Sequence, residues 1–126
     1  MNILIVDDEI TVGELVFRII VGARAGHCAT VVTSARQVLD LVGAGVNQYQ
    51  LVISDIQMPH MNGIELAKRL AELDHPPLVV LMSGNTEALQ EARDLRIPNV
   101  IALVAKPFSQ KTIHGFLEKA KKAAKL

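Results

Sequence analysis

Apolar residues recur along this chain in two rhythms. Short, nearly unbroken and largely β-branched runs occupy residues 3–6, 29–32, 51–53, 78–82 and 100–104, a length and composition that predict strands. Between them the spacing changes to one apolar position every three or four residues. Val12, Leu15, Val16, Ile19, Ile20 and Ala23 share one face of a helix. Ala35, Val38, Leu39 and Val42 repeat the pattern, as do Leu66, Leu70 and Leu73, and finally Ile113, Phe116, Leu117, Ala120 and Ala124. The stretch 86–95 is more polar and predicts the most mobile helix.

Because four of the five runs are continuous in apolar character rather than alternating, they predict strands covered on both faces, as in a parallel sheet. The second, with Thr30 and Thr33 near its ends, predicts an edge strand. Asn62, Thr86 and Ser109 are the expected caps of the third, fourth and fifth helices. Gly43, Gly45, the sequence His75-Pro76-Pro77 and the sequence Ile97-Pro98-Asn99 separate elements. Strand then helix, five times over, implies an α/β fold: a doubly wound, five-stranded parallel sheet of flavodoxin-like type, a three-layer sandwich with five helices in strand order 2-1-3-4-5. In that order ligands bind beyond the carboxyl ends of strands one and three, where the winding reverses.

Length and composition narrow the picture further. The 126 residues fit a single domain spanning 1–126. Thirteen basic and 13 acidic side chains balance, so no global field draws the chain to nucleic acid or membrane. Cys28 is the lone cysteine, which excludes an internal disulfide and suits a reduced, cytoplasmic setting, as a partly buried thiol. The apolar runs are too short for a membrane span, and no leader precedes the first. His27, His60, His75 and His114 share no metal-ligand spacing and suit surface or turn roles, while Met58, Met61 and Met82 suit packing.

The predicted strand ends carry the chemistry. Strand one runs into Asp7-Asp8-Glu9, strand three into Ser54-Asp55, strand four into Ser83-Gly84-Asn85 and strand five into Lys106-Pro107-Phe108. Asp7, Asp8 and Asp55 at the reversal point would repel one another unless a cation intervened. Oxygen donors without His or Cys favour a hard ion such as Mg2+, with Mn2+ as a substitute. A carboxylate can act as a nucleophile toward phosphorus, and phosphoryl transfer needs positioning and charge neutralisation above all. Asp55 is the candidate acceptor, with Lys106 and Ser83 as donors to phosphoryl oxygens. Taken singly, each motif reads as capping or turn chemistry; their joint arrival at one rim points to a site.

These residues, in this order and spacing, resemble the receiver domain of two-component response regulators, and the resemblance spans essentially the whole chain. It rests on Asp7-Asp8, Asp55 within Ser-Asp-Ile-Gln-Met-Pro, Gly63, Ser83 and Lys106-Pro107-Phe108. The resemblance implies that Asp8 and Asp55 bind magnesium directly, Asp7 through water, and the Gln57 backbone carbonyl completes the set. It implies a cis peptide before Pro107, a histidine kinase or phosphotransfer protein as phosphodonor, and slow self-dephosphorylation rather than an enzyme's turnover. It also implies a Ser83-linked switch around the fourth helix, fifth strand and fifth helix. Leu103 stands where the family commonly has an aromatic switch residue. Output would pass to an effector protein or to an output domain outside this sequence.

Other readings are open at this point. A pseudo-receiver, never phosphorylated, would share the fold. A hydrolase of the haloacid dehalogenase kind needs a second Asp two residues after the nucleophile, where this chain has Gln57. Neither a dinucleotide fingerprint nor a phosphate-cradling Gly-Lys-Ser/Thr loop follows the first strand.

Overall fold

The computed structural model describes residues 1–125. Strands β1 (Asn2–Val6), β2 (Cys28–Val32), β3 (Leu51–Asp55), β4 (Leu78–Ser83) and β5 (Val100–Ala105) alternate with helices α1 (Ile10–Gly22), α2 (Ala35–Ala44), α3 (Gly63–Ala71), α4 (Thr86–Leu95) and α5 (Gln110–Ala123). All strand pairs are parallel, in the order β2-β1-β3-β4-β5. This is the expected flavodoxin-like arrangement. Parallelism brings the carboxyl ends of all five strands to one rim.

Residue alternation along the strands builds two apolar layers. Leu4, Val6, Val52, Val79 and Leu81 pack under Val38, Leu66, Leu70 and Leu89 of α2, α3 and α4. Ile3, Ile5, Ile53, Val80 and Met82 pack under Val16, Ile20, Ile113 and Phe116 of α1 and α5. Each such side chain contributes about 1.5–3 kcal/mol through burial, which explains why the central strands are uninterruptedly apolar. Their role as the shared floor of both layers leaves no polar position until the rim.

Two sequence expectations are corrected at the sheet edges. The run 100–104 reads as a strand covered on both faces, yet Val100, Ile101, Ala102 and Leu103 remain partly exposed, because β5 is itself an edge strand beside β4. It also carries a bulge: Val79 pairs with Val100 but Val80 with Ala102, leaving Ile101 as the extra residue. Cys28 is exposed rather than partly buried, since it opens the other edge strand, β2.

Caps explain where the helices start. Ser34 and Gln37 form a reciprocal capping box on α2, and Asn62 and Ser109 accept from Glu65 and Thr112 backbone N–H groups at the starts of α3 and α5. The cap of α4 is Asn85, not Thr86: the Asn85 side-chain oxygen accepts from the N–H groups of Glu87 (2.9 Å) and Ala88 (3.1 Å). Buried Asn99 donates to the carbonyls of Pro77 (3.2 Å) and Ala67 (3.4 Å), tying the turn before β5 to α3 and the start of β4.

Candidate functional site

β1 delivers Asp7 to the rim and buries it completely. Its backbone N–H still pairs with Val32 of β2 (3.2 Å), and its Oδ1 accepts from the Glu9 N–H (2.9 Å). Neither Asp7 nor Asp8 caps α1; Glu9 holds that position without a side-chain bond. Asp8 is exposed. Asp55 ends β3 opposite Met82, and its side chain keeps 8% of its surface accessible.

The backbone after Asp55 is held by two bonds, Ile56 N–H to Met82 oxygen (2.9 Å) and Gly63 N–H to Ile56 oxygen (2.8 Å). Gly63 thereby folds back against the end of β3. A Cβ there would collide with the Asp55 carbonyl oxygen and come within 3.0 Å of the Ile56 Cα, so this position requires the absence of a side chain.

One carboxylate oxygen from each of Asp7, Asp8 and Asp55 lies within 4.8 Å of the others. Lys106, at the end of β5, reaches between two of them, its Nζ standing 3.1 Å from Asp7 Oδ2 and 3.3 Å from Asp55 Oδ2. Its own N–H donates to the Ser83 carbonyl (2.9 Å), so β4 and β5 hand it over together. The Lys106–Pro107 peptide is cis. Ser83 is buried; its hydroxyl accepts from the Asn85 N–H (3.0 Å) and makes a long 3.4 Å contact to Gln57 Oε1. Leu103 lies in β5 beside Leu81, part-buried under α4. Among the described residues, the carboxylate cluster contains no histidine or cysteine. That all-oxygen donor set fits magnesium or manganese.

Electrostatics at the cluster are finely opposed. Burial raises the Asp55 pKa, the Lys106 charge lowers it, and the Asp7 charge raises it again, with a net upward shift from 3.8. For Lys106, burial is the largest single influence and pulls downward, but the hydrogen bond and charge of Asp7, joined by Asp55, outweigh it and raise the pKa.

Between the ordinary carboxylate pKa and the raised one, folded Asp55 holds a proton that the unfolded chain releases. Stability therefore falls as pH climbs through that interval, and the penalty persists above it. Asp55→Asn cannot ionise. In metal-free buffer the variant is expected to melt above the wild type at neutral pH, the gap closing as pH drops below the ordinary carboxylate value. Thermal unfolding across pH with a chelator present checks this, and parallel pH profiles for the two proteins would refute it.

A family model described as response regulator receiver domain matches residues 3–118. The chain belongs to this family. It is 34% identical over 127 residues to the sensory transduction protein LytR of Streptococcus mutans, an alignment covering 97% of this chain and 49% of that protein. It is 30% identical over 123 residues to the aerobic respiration control sensor protein ArcB of Escherichia coli, covering 94% of this chain and 15% of the other. The receiver domain of NtrX from Brucella abortus superposes with a TM-score of 0.79 at 25% identity, covering 95% of this chain and 98% of that one. The chain thus spans about half or less of the curated relatives it matches. Among the described residues no helix is long and apolar enough to cross a membrane.

Proposed function

We propose that this receiver accepts a phosphoryl group on Asp55 from a histidine kinase or phosphotransfer protein and changes conformation in response. The observation that carries this reading is the gathering of Asp7, Asp8 and Asp55 oxygens within 4.8 Å, with Lys106 bridging two of them. Such crowding of like charges destabilises the protein on its own terms and becomes favourable only with added positive charge.

In the transfer, an Asp55 carboxylate oxygen attacks phosphorus in line. The new O–P bond forms as the bond from phosphorus to the donor's imidazole nitrogen, or to an acyl oxygen, breaks, and the leaving atom retains the electron pair. Lys106 exchanges its contact with Asp55 for a phosphoryl oxygen. The Ser83 hydroxyl turns from Gln57 to donate to another, keeping the Asn85 N–H as its own donor. A magnesium ion, or manganese in its place, held by Asp7, Asp8, Asp55 and the Gln57 carbonyl, would supply compensating charge to the transferring group. Reorientation of Ser83 shifts the loop into α4, and with Leu103 in place of an aromatic ring the change reaches β5 and α5 through backbone and α4 packing.

The partners are a kinase or phosphotransfer protein on one side and an effector or attached output domain on the other, in the cytoplasm. Incubation with a small acyl phosphate, followed by intact mass with and without magnesium, tests the reading. A magnesium-dependent gain of one phosphoryl group in wild type, absent from Asp55→Asn, is expected. No gain in wild type would favour the pseudo-receiver, which shares the fold but not the chemistry.

A further inference from the structure

β2 pairs with β1 alone and forms the sheet's other free edge. The Cys28 N–H donates to the Met1 carbonyl (2.9 Å), and the Val32 carbonyl accepts from the Asp7 N–H (3.2 Å). In a parallel ladder the N–H and C=O of one residue point to the same side and successive residues alternate. Cys28, Thr30 and Val32 therefore bond to β1, and the main-chain groups of Ala29 and Val31 face outward. Thr33 would be next in line, but its N–H already donates to Gln37 Oε1 (2.9 Å). Strand edges are commonly guarded by charges, proline or a bulge. β5 has its bulge at Ile101, whereas Cys28–Val32 pairs with β1 in unbroken register and carries none of the three.

Over this edge, α1 leaves apolar surface uncovered. A Cβ on Gly13 would come within 2.8 Å of Val31 Cγ1, so that side of the helix stands directly over β2. Steps of three and four residues put Ile10, Phe17 and Val21 along the same side. Leu15, Arg18 and Gly22 lie on another, where they line a depression against Gln110 and His114 of α5. Phe17 is part-buried, but Ile10 and Val21 keep 46% and 41% of their surface exposed.

We propose that β2 pairs antiparallel with β2 of a second copy of this chain, joining two five-stranded sheets into one. The edge is complementary to itself. With a two-fold axis at Thr30, Ala29 faces Val31 of the other copy, and each such pair exchanges two N–H···O=C bonds, so every outward group of both residues is used. Thr30 meets Thr30 of the other copy in the closer, non-hydrogen-bonded position, a favourable cross-strand pair. Counting along α1 from Gly13, level with Val31, Ile10 lies about 8 Å from the axis toward the rim and Val21 about 9 Å on the other side. The two-fold thus sets Ile10 of each copy beside Val21 of the other and covers both. Glu14, near the axis, meets its own copy, which keeps the pairing reversible. None of this involves Asp55, so the inference is independent of phosphoryl acceptance there.

Sedimentation velocity on the unphosphorylated chain, from micromolar to millimolar protein, is expected to show a reversible dimer. Val21→Lys, at an exposed position, should weaken it by about tenfold or more. Cross-linking checks the register. In a Cys28→Ser background, Thr30→Cys sets two thiols across the axis at a Cα separation of about 4.5 Å, within disulfide reach. It should oxidise to a covalent dimer at least about tenfold faster than Glu72→Cys in the same background, at the exposed end of α3. The wild-type Cys28 pair, four residues out of step across the axis, lies about 14 Å apart and should oxidise no faster than the Glu72→Cys control. A chain that stays monomeric at millimolar concentration, equal oxidation of Thr30→Cys and Glu72→Cys, preferential cross-linking through Cys28, or a dimer indifferent to Val21→Lys would each overturn the proposal.

Discussion

Lys106→Met is expected to slow phosphoryl acceptance by about a hundredfold or more, while tightening magnesium binding to the unphosphorylated protein. Lys106 is the cation that the fold itself supplies to the carboxylates, 3.1 Å from Asp7 and 3.3 Å from Asp55. Removing it leaves two buried acids and an exposed one with no cationic partner among the described residues, and an added divalent ion then meets less competition. Under the proposed function, a transferring phosphoryl group would lose the lysine that β5 positions at the rim, a donor that magnesium held by the carboxylates would not replace. Calorimetric titration with magnesium and the initial rate of mass gain from an acyl phosphate at saturating magnesium separate the two effects. An unchanged rate at saturation would remove Lys106 from the chemistry and leave it a purely electrostatic filler.

Gly63→Ala is expected to cost about 3 kcal/mol of folding stability, the upper end of what overpacking usually costs. The added methyl group would meet backbone, not a side chain that can rotate away: the Asp55 carbonyl oxygen and the Ile56 Cα are its nearest neighbours. Relief requires α3 to withdraw from the end of β3, which breaks the Gly63–Ile56 bond and moves the Asp55 carboxylate with it. Denaturant unfolding gives the stability loss. A variant as stable as wild type would mean that the α3 start relaxes freely. Gly115→Ala is the matched control, because a Cβ there meets nothing within 4 Å and helix propensity then favours the alanine by about 1 kcal/mol.

The fold was legible because burial on two faces leaves a sharp trace in sequence: Ile3 to Val6 and Val79 to Met82 carry no polar residue, and all are fully buried. Strand order then came from handedness and winding rules rather than from any residue. The site was legible because parallel strands release their chain polarity at one rim, where Asp7, Asp8, Asp55 and Lys106 do meet. Edge exposure was harder to read, since the apolar run of β5 resembles that of β4 although only one flank is covered. Asn85 and Thr86 are both competent caps, and only the backbone path out of Ser83 selects the asparagine. Buried Asn99 follows Pro98 in a sequence that reads as an exposed turn; its distant partners, Ala67 and Pro77, leave no local sign. The Ser34–Gln37 box did have a signal, a Ser three residues before a Gln ahead of an apolar stripe.

The uniform direction of the strands also divides the molecule into two ends with different freedoms. Loops such as 45–50 and 72–77 join helices to the starts of strands, a full strand length from Asp55. They can lengthen, carry a tag or accept a fused partner without disturbing the carboxylates, whereas the loops that leave β1, β3, β4 and β5 start at or beside Asp7, Asp55, Ser83 and Lys106.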